Sequence, residues 1–163
     1  MKNQKKTGHA LHSLLPMGLQ SLFAVSALIL CVISIFLYKA IQEKNEAYFE
    51  ASTATGYLSV KMQQTATLQN VEIRTENGIE VLAIREDFSG EIYETRIFCA
   101  GGYLKEDFVH ENTPFVFENG SELISLQAVT FELTDKGVLS VYIIITSGDE
   151  IALSYYLPKG EPI

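Results

Sequence analysis

The stretch MGLQSLFAVSALILCVISIFLY, residues 17–38, decides the architecture of this chain because it runs for 22 residues without a formal charge. As an α-helix rising about 1.5 Å per residue it extends roughly 33 Å, and the hydrocarbon core of a bilayer is about 30 Å thick. Ser21, Ser26 and Ser34 are compatible with lipid because a serine hydroxyl can bond a carbonyl of its own helix. The stretch therefore predicts a transmembrane helix over residues 17–38.

Charge is distributed unevenly on the two sides of this stretch. The only formal charges in the first 38 residues are Lys2, Lys5 and Lys6, whereas the chain from Lys39 onward has nine basic and 20 acidic residues. Short flanks rich in lysine stay in the cytoplasm, so residues 1–16 are predicted to be a cytoplasmic basic segment. A cleaved secretory signal fits less well, since its apolar core is typically about 7 to 15 residues. We expect a cell-membrane protein that crosses the lipid bilayer once and places its C-terminal domain outside the cytoplasm.

The acidity of the larger part of the chain also excludes a class of partner. Nucleic-acid-binding proteins neutralise phosphates with a stripe of basic residues. The formal net charge here is -8, and no basic stripe follows the predicted membrane span. We therefore expect no nucleic-acid partner.

Residues 39–68 are predicted to form an extracytoplasmic amphipathic helix. The segment contains no proline, and one set of positions recurs at alternating spacings of three and four: Tyr48, Ala51, Thr55, Leu58, Met62 and Thr65. Such spacing places side chains on one face of a helix. The helix either packs on its own domain or forms a seam with neighbouring copies of the chain. Both contacts are compatible if they use different faces of the helix.

Residues 69–163 are predicted to form an antiparallel β domain. The predicted strands are residues 71–75, 79–85, 91–99, 103–109, 123–133, 138–146 and 151–157. Asn77-Gly78 separates the first two, and this dipeptide is the most typical of a two-residue hairpin. Ala100-Gly101-Gly102 separates the next pair. Hairpins after a helix predict an α+β fold, in which the long N-terminal helix continues into an amphipathic helix packed on an antiparallel β-sheet.

Residues suited to catalysis or metal binding are scarce. His110 is the only histidine beside the predicted sheet, because His9 and His12 precede the membrane span. Cys31 lies in the span and Cys99 in a strand, so the two are not expected to pair. Adjacent acids at residues 86–87, 106–107 and 149–150 lack the alternating positions of a calcium loop. We predict no catalytic, cofactor-binding or metal-binding residue, no small-molecule substrate, and no enzymatic activity.

One apolar run is a candidate contact with another protein. Phe115, Val116 and Phe117 are consecutive in a stretch without strand or helix pattern. Such runs more often anchor a loop on its own core, but a contiguous apolar patch on a loop is also typical of an interaction site. These three residues are our predicted partner contact in the β domain.

The N-terminal residues 5–16, KKTGHALHSLLP, place basic residues and a glycine, Gly8, before an apolar helix. This arrangement resembles the class III signal of type IV pilins and type II secretion pseudopilins. The resemblance implies cleavage between Gly8 and His9, and contact of Ser13 with neighbouring pilin-like subunits. The sequence departs from the family at His9, where an aromatic residue or Met is usual, and at Ser13, where the family has Glu.

Four segments carry a second resemblance: Gly8-His9, residues 48–58, residues 92–95 and residues 102–104. In these segments the chain is similar to a family of small single-span proteins called domain of unknown function 4860. Together the segments extend over nearly the whole chain. The resemblance implies a single membrane span and little established activity.

These features lead to two functional hypotheses. The first is a pilin- or pseudopilin-like minor structural or assembly component of a cell-surface pilus or secretion system. Because Ser13 lacks the carboxylate that neutralises the amine of the subunit above, the sequence is most compatible with a tip or initiating position. The alternative is a membrane-tethered extracytoplasmic binding or sensing domain with no filament role, in which Gly8 is never cleaved.

The lysine asymmetry predicts the outcome of a labelling experiment in intact cells. In a background without native cysteines, a membrane-impermeant thiol reagent is expected to label Lys136→Cys but not Asn3→Cys, because the basic N-terminus stays inside. Permeabilised cells, in which both positions should react, are the control. Labelling of Asn3→Cys alone would reverse the predicted orientation.

Overall fold

A computed structural model describes residues 5–65, 67 and 69–159, with side chains from residue 16 onward except that of Thr65. In this part of the chain one helix, α1 (Lys5–Thr65), precedes eight strands. The strands are β1 (Val71–Glu76), β2 (Ile79–Phe88), β3 (Glu91–Ala100), β4 (Tyr103–His110), β5 (Ser121–Ser125), β6 (Ala128–Leu133), β7 (Val138–Ile144) and β8 (Glu150–Tyr156). The chain divides into two compact units, residues 1–44 and 45–163.

The first unit contains the N-terminal part of α1. The helix includes a stretch that is long and apolar enough to cross a membrane, and none of the most apolar window is buried. Ser21 Oγ donates a hydrogen bond to the carbonyl of Gly18 at 2.9 Å, and Ser26 and Ser34 donate in the same way to carbonyls three and four residues earlier, each at 2.8 Å. The predicted bonding of these hydroxyls within their own helix is confirmed.

The second unit begins with the C-terminal part of α1, which presents small and aliphatic side chains to the core. The buried and partly buried row consists of Ala47, Ala51, Ala54, Leu58 and Met62. It differs from the predicted stripe, because Tyr48 is 76% exposed. A row that includes three alanines lets the helix approach the sheets more closely than one that begins with a tyrosine. The helix ends at Thr65, and Leu68, its predicted end, lies outside the described residues.

The first sheet has five antiparallel strands in the order β1-β2-β3-β4-β5. Its first three connections are two-residue turns with positive φ: Asn77 (52°) and Gly78 (80°), Ser89 (62°) and Gly90 (89°), and Gly101 (64°) and Gly102 (82°). The predicted hairpins at residues 77–78 and 101–102 are therefore confirmed. The turn at residues 89–90 is additional, and it extends β2 as far as Phe88.

Strand alternation gives this sheet two distinct faces. The register pairs Leu82 with Ile97 and Ile97 with Glu106, so these residues share one face, which we call the inner face because it carries the main core. The opposite, outer face carries the alternate residues, such as Glu94 and Arg96 of β3. The two faces differ in chemistry as well as in position.

The second sheet has three antiparallel strands in the order β6-β7-β8. The prediction of one strand over residues 123–133 is wrong, because β5 belongs to the first sheet and β6 to the second. The amide of Leu126 donates to the carbonyl of Gly102 at 3.0 Å, and the next amide, of Gln127, donates to the carbonyl of Ile144 at 2.8 Å. Consecutive amides thus bond to different sheets, so the chain crosses from one sheet to the other here.

A single apolar core joins the helix of the second unit to both sheets. Its buried residues in the described part of the chain are Ala54, Leu58, Met62, Val71, Leu82, Ile84, Ile97, Leu104, Ile124, Leu126, Val129, Phe131, Leu139, Val141, Ile143, Ile145 and Leu157. At its margin, Glu106 accepts hydrogen bonds from Tyr57 Oη at 2.8 Å and from Lys61 Nζ at 2.7 Å. Burial, together with the adjacent carboxylate, raises the pKa of Tyr57. A long N-terminal helix followed by antiparallel sheets confirms the predicted α+β class.

The turn at Asn77-Gly78 is a test of the register between β1 and β2. Gly78 has a φ of 80°, and the space around it is open, so a substituted side chain is penalised by the backbone conformation alone. Gly78→Val is expected to lower the free energy of unfolding by about 1 kcal/mol or more. Thermal unfolding of the full chain in detergent, followed by the near-ultraviolet dichroism of its tyrosines, measures the change. Gly78→Asn is the matched control and should lower the free energy of unfolding by less. An unchanged melting temperature for Gly78→Val would contradict the prediction that a side chain at this position strains the turn.

Candidate functional site

The outer face of the five-stranded sheet carries a cluster of charged side chains around Glu94. The carboxylate of Glu94 is 1% exposed, and Arg74 of β1 donates two hydrogen bonds to it, Nη1 to Oε1 at 2.9 Å and Nη2 to Oε2 at 2.8 Å. Arg96 Nε donates to Oε2 at 3.0 Å, and Arg85 Nε lies 3.5 Å from Oε1. A buried carboxylate is stable only when paired in this way. One glutamate therefore holds three arginines from three adjacent strands.

The pKa values of the cluster reflect these contacts. Burial alone would raise the pKa of Glu94, but the hydrogen bonds and charges of Arg74 and Arg96 outweigh it and lower the pKa to about 2. The hydrogen bond to Glu94 raises the pKa of Arg74, although burial acts in the opposite direction. Burial raises the pKa of Asp107, which pairs with Arg96 in the β3–β4 register, and the charge of Arg96 partly offsets this. The contact between Arg74 and Glu94 thus favours the charged form of both side chains.

Carboxylates at the rim of the cluster complete its charge balance. Arg85 contacts Glu72 at 2.5 Å and Glu111 at 3.1 Å, and Arg74 also donates a hydrogen bond to Glu76. These rim groups are between a quarter and a half exposed. With three arginines facing more than three carboxylates, the cluster does not offer a cationic site for an anionic ligand.

The chain between β4 and β5, residues 111–120, folds over this outer face, and we call it the cover loop. Arg96 Nη2 donates a hydrogen bond to the carbonyl of Thr113 at 2.7 Å. The ring of Phe115 meets that of Phe98 edge to face, with centroids 4.9 Å apart. A Cβ on Gly120 would lie 2.7 Å from Phe98 Cζ, so only glycine fits where the loop returns to the sheet. Ionic and aromatic contacts together fix the loop.

The predicted partner-contact residues of the β domain lie in the cover loop and are not equivalent. Phe115 is 7% exposed and belongs to a small second core with Val81, Phe98 and Ala100. Val116 and Phe117 are 40% and 39% exposed. Phe115 is therefore an anchor of its own loop. Contact with a partner stays a prediction, and the loop presents Val116 and Phe117 for it.

The predicted processing and contact residues at the N-terminus lie in α1. Gly8, His9 and Ser13 are all within the helix Lys5–Thr65. Their side chains lie outside the described part of the structure. Cleavage after Gly8 and subunit contact at Ser13 stay predictions.

A second candidate surface lies on the inner face of the first sheet, at the end of β2, β3 and β4 where its residues are exposed or partly exposed. The rings of Phe88, Tyr93, Phe108 and His110 contact one another there, and we call them the aromatic platform. Tyr93 and Phe108 are stacked with centroids 5.4 Å apart and an interplanar angle of 12°, and Phe88 packs edge-on to both, at 5.8 and 6.0 Å. His110 lies edge-on to Tyr93 at 5.6 Å. Phe88 and Phe108 are 50% and 51% exposed.

The platform includes residues that sequence patterns did not single out. Phe88 lies on β2, Tyr93 on β3, and both Phe108 and His110 on β4. The rings come together only through the register that pairs Glu86 with Tyr93 and Tyr93 with His110. The Ser-Gly dipeptide at residues 89–90 is the available clue, because a two-residue turn there fixes the β2–β3 register. With that turn assigned, alternation would have placed Phe88 and Tyr93 on the same face.

Other groups of chemical interest are isolated. Among the described residues, no three His, Cys, Asp or Glu side chains converge on a point where a metal ion could bind. Cys99 is free and half-buried in β3, and burial raises the pKa of its thiol. A cleft of about 360 Å³ lies beside β8, lined by Met62, Gln63, Ser154, Tyr155, Tyr156 and Pro158. None of these cleft residues carries a formal charge.

The depressed pKa of Glu94 predicts a defined dependence of stability on pH. The pKa of Glu94 in the folded chain, about 2, lies below its ordinary value of 4.5. The contribution of Glu94 to the free energy of unfolding is therefore complete above pH 4.5 and is lost as the pH falls toward 2. The shift corresponds to about 3 kcal/mol. Glu94→Gln should therefore lower the free energy of unfolding at pH 7, and the difference from the parent chain should shrink as the pH falls through this window.

Denaturant unfolding of both chains at several pH values measures this difference. Glu132→Gln, a change at an exposed glutamate of β6, is the matched control and should show no such trend. If the free energies of unfolding of Glu94→Gln and the parent chain differed by the same amount from pH 7 to pH 2, the pH dependence of stability would not come from Glu94.

Comparison with known proteins gives one match. The family model described as a domain of unknown function (DUF4860) matches residues 49–144. The matched segment runs from the C-terminal part of α1 to the end of β7 and includes the ionic cluster, the cover loop and the aromatic platform. Neither a curated protein nor a solved structure matches the chain. Because the match covers more than half of the 163 residues, the chain belongs to the DUF4860 family.

Proposed function

We propose that the protein is a single-pass membrane protein that acts as a pilin- or pseudopilin-like minor component of a cell-surface pilus or secretion system. The observation that carries the proposal is α1, one continuous helix from Lys5 to Thr65 that combines a membrane-length apolar stretch with a C-terminal part packed on a β domain. In this proposal the helix crosses the bilayer with its basic N-terminus in the cytoplasm. The antiparallel sheets then form an extracytoplasmic domain.

The exposed apolar surface of α1 supports this assignment. Leu22, Phe23, Leu28 and Phe36 are each between 66% and 75% exposed. A helix that is apolar on all sides requires lipid or other apolar helices around it. A membrane supplies the lipid, and the bundled helices of a pilin-like assembly supply the apolar helices.

The position within such an assembly follows from Ser13. In pilin-like filaments a glutamate at the corresponding position neutralises the terminal amine of the subunit above, and an unpaired charge in an apolar surrounding is costly. Ser13 cannot supply that charge. A subunit at the tip has no subunit above it, so the tip or initiating position is the one we assign.

A second candidate function is a membrane-tethered binding domain with no filament role. The aromatic platform favours it, because an uncovered cluster of aromatic rings is unusual on a protein surface and is typical of a contact site. In this case Gly8 is retained and the amine stays in the cytoplasm with Lys2, Lys5 and Lys6. The two candidates therefore differ in the chemical state of the N-terminus.

Mass spectrometry of the native protein distinguishes them. A filament subunit is expected to begin at His9 and to be present in sheared surface filaments, whereas a tethered domain should retain residues 2–8 and remain with the membranes. A variant with Gly8→Val, which removes the glycine before the cleaved bond, is the control and should keep its N-terminal segment in either case. An intact N-terminus on all of the native protein would overturn the filament proposal.

A further inference from the structure

The aromatic platform is surrounded by negative charge. By register, the inner-face positions at this end of β2, β3 and β4 are Glu86, Phe88, Glu91, Tyr93, Phe108 and His110, a set that includes two carboxylates and neither lysine nor arginine. Glu91 accepts a hydrogen bond from Tyr93 Oη at 3.3 Å, so its charge lies at the edge of the stacked rings. Glu91 is exposed and Glu86 is partly exposed.

These two carboxylates differ from three other glutamates on the same sheet. Glu72, Glu94 and Glu106 each pair with an arginine or a lysine, whereas among the described residues no lysine or arginine pairs with Glu86 or Glu91. The platform therefore combines ring faces, which attract cations through their quadrupole, with carboxylates that lack a cation partner from the described part of the chain. Aromatic faces next to carboxylates are the chemistry that recognises a positively charged group.

We propose that the aromatic platform binds a basic segment of a partner protein, with a lysine or arginine side chain against the exposed rings of Phe88 and Phe108 and its charge directed toward Glu86 and Glu91. The exposed rings bury the aliphatic part of that side chain, and the carboxylates attract its charged end. This inference deepens the second proposed function, because it names the class of partner that a tethered binding domain would take. It does not require that the chain enters a filament.

Charge separates this partner from the other candidates for the platform. A second copy of the chain would bring its own excess of acids, since nine basic and 20 acidic residues follow the first 38 positions. An anionic lipid surface would be repelled by Glu86 and Glu91. A neutral glycan could stack on the rings, but it would leave the two carboxylates without a cation. A basic protein segment satisfies both the rings and the charges.

Binding can be measured on the full chain in nanodiscs of zwitterionic lipid by fluorescence anisotropy. The probe is a labelled hexapeptide in which glycine alternates with arginine, and it is expected to bind saturably and more weakly as salt is raised. Phe108→Ala should raise the dissociation constant about threefold, and Phe88→Ala with Phe108→Ala about tenfold. Glu86→Gln, which changes charge with little change in shape, should weaken binding and reduce its dependence on salt.

A second peptide separates contact with the rings from simple ion pairing. When trimethyl-lysine replaces arginine, no N–H is left to bond a carboxylate, but the charge remains attractive to an aromatic face. This peptide should still bind, and Phe108→Ala should weaken its binding by a similar factor. Loss of binding on trimethylation would overturn the placement of the cation over the rings.

Matched variants outside the platform serve as controls. Phe49→Ala removes a ring that is 66% exposed on α1, and Glu132→Gln removes an exposed acid on β6. Both should bind the peptides as the parent chain does, and all variants should melt within a few degrees of it. Absence of saturable peptide binding by the parent chain would overturn the proposal. The proposal would also be overturned if the parent chain bound a chitin hexasaccharide or anionic vesicles instead of the peptide, and if Phe108→Ala abolished that binding.

The test of peptide binding is independent of the test of the filament proposal. Peptide binding is measured on single chains in nanodiscs, whereas filament membership is read from the N-terminus and from sheared filaments. If the native chain begins at His9 but does not bind basic peptides, only the platform proposal is overturned. A chain that binds them with an intact N-terminus would overturn only the filament proposal.

Discussion

The structure of the β domain depends on the apolar core that the C-terminal part of α1 shares with both sheets. Ala54 and Leu58 are fully buried there, and Met62 nearly so. Protein interiors are packed at the density of organic crystals, so the small side chain at position 54 sets how near the helix backbone lies to the strands. The three-stranded sheet has no helix other than α1 packed on it among the described elements, and without that contact both sheets would expose their apolar faces.

The outer face of the five-stranded sheet is organised by a different principle. A glutamate that is 1% exposed is held by arginines from β1, β2 and β3, and two of these, Arg85 and Arg96, also contact the cover loop. Buried ion pairs often contribute little net stability compared with apolar residues of the same size, but loss of one partner leaves a charge uncompensated. The cluster therefore defines which strands are neighbours and where the loop lies. Phe115, beside it, adds an apolar anchor to the same loop.

The two proposed functions use different parts of the chain. The filament proposal rests on the long helix and its N-terminal residues, whereas the binding proposal rests on ring faces and carboxylates of the β domain. The family match covers residues 49–144, which contain the β domain features but not the apolar stretch of residues 17–38. The matched segment thus includes the aromatic platform. A binding surface on the β domain is physically compatible with either proposed function.

The sequence by itself determined the membrane-length apolar helix, the α+β class and the hairpins at residues 77–78 and 101–102. These properties are local, because they depend on the hydrophobicity of one stretch and on the few residues that adopt positive φ in a turn. Only the tertiary structure decided the break between the sheets at Leu126-Gln127, the burial of Phe115 and the assembly of the aromatic platform. Each of these depends on which distant residues become neighbours across strands. That choice is made by the packing of the whole core and the pairing of buried charges, which no single segment of the sequence encodes.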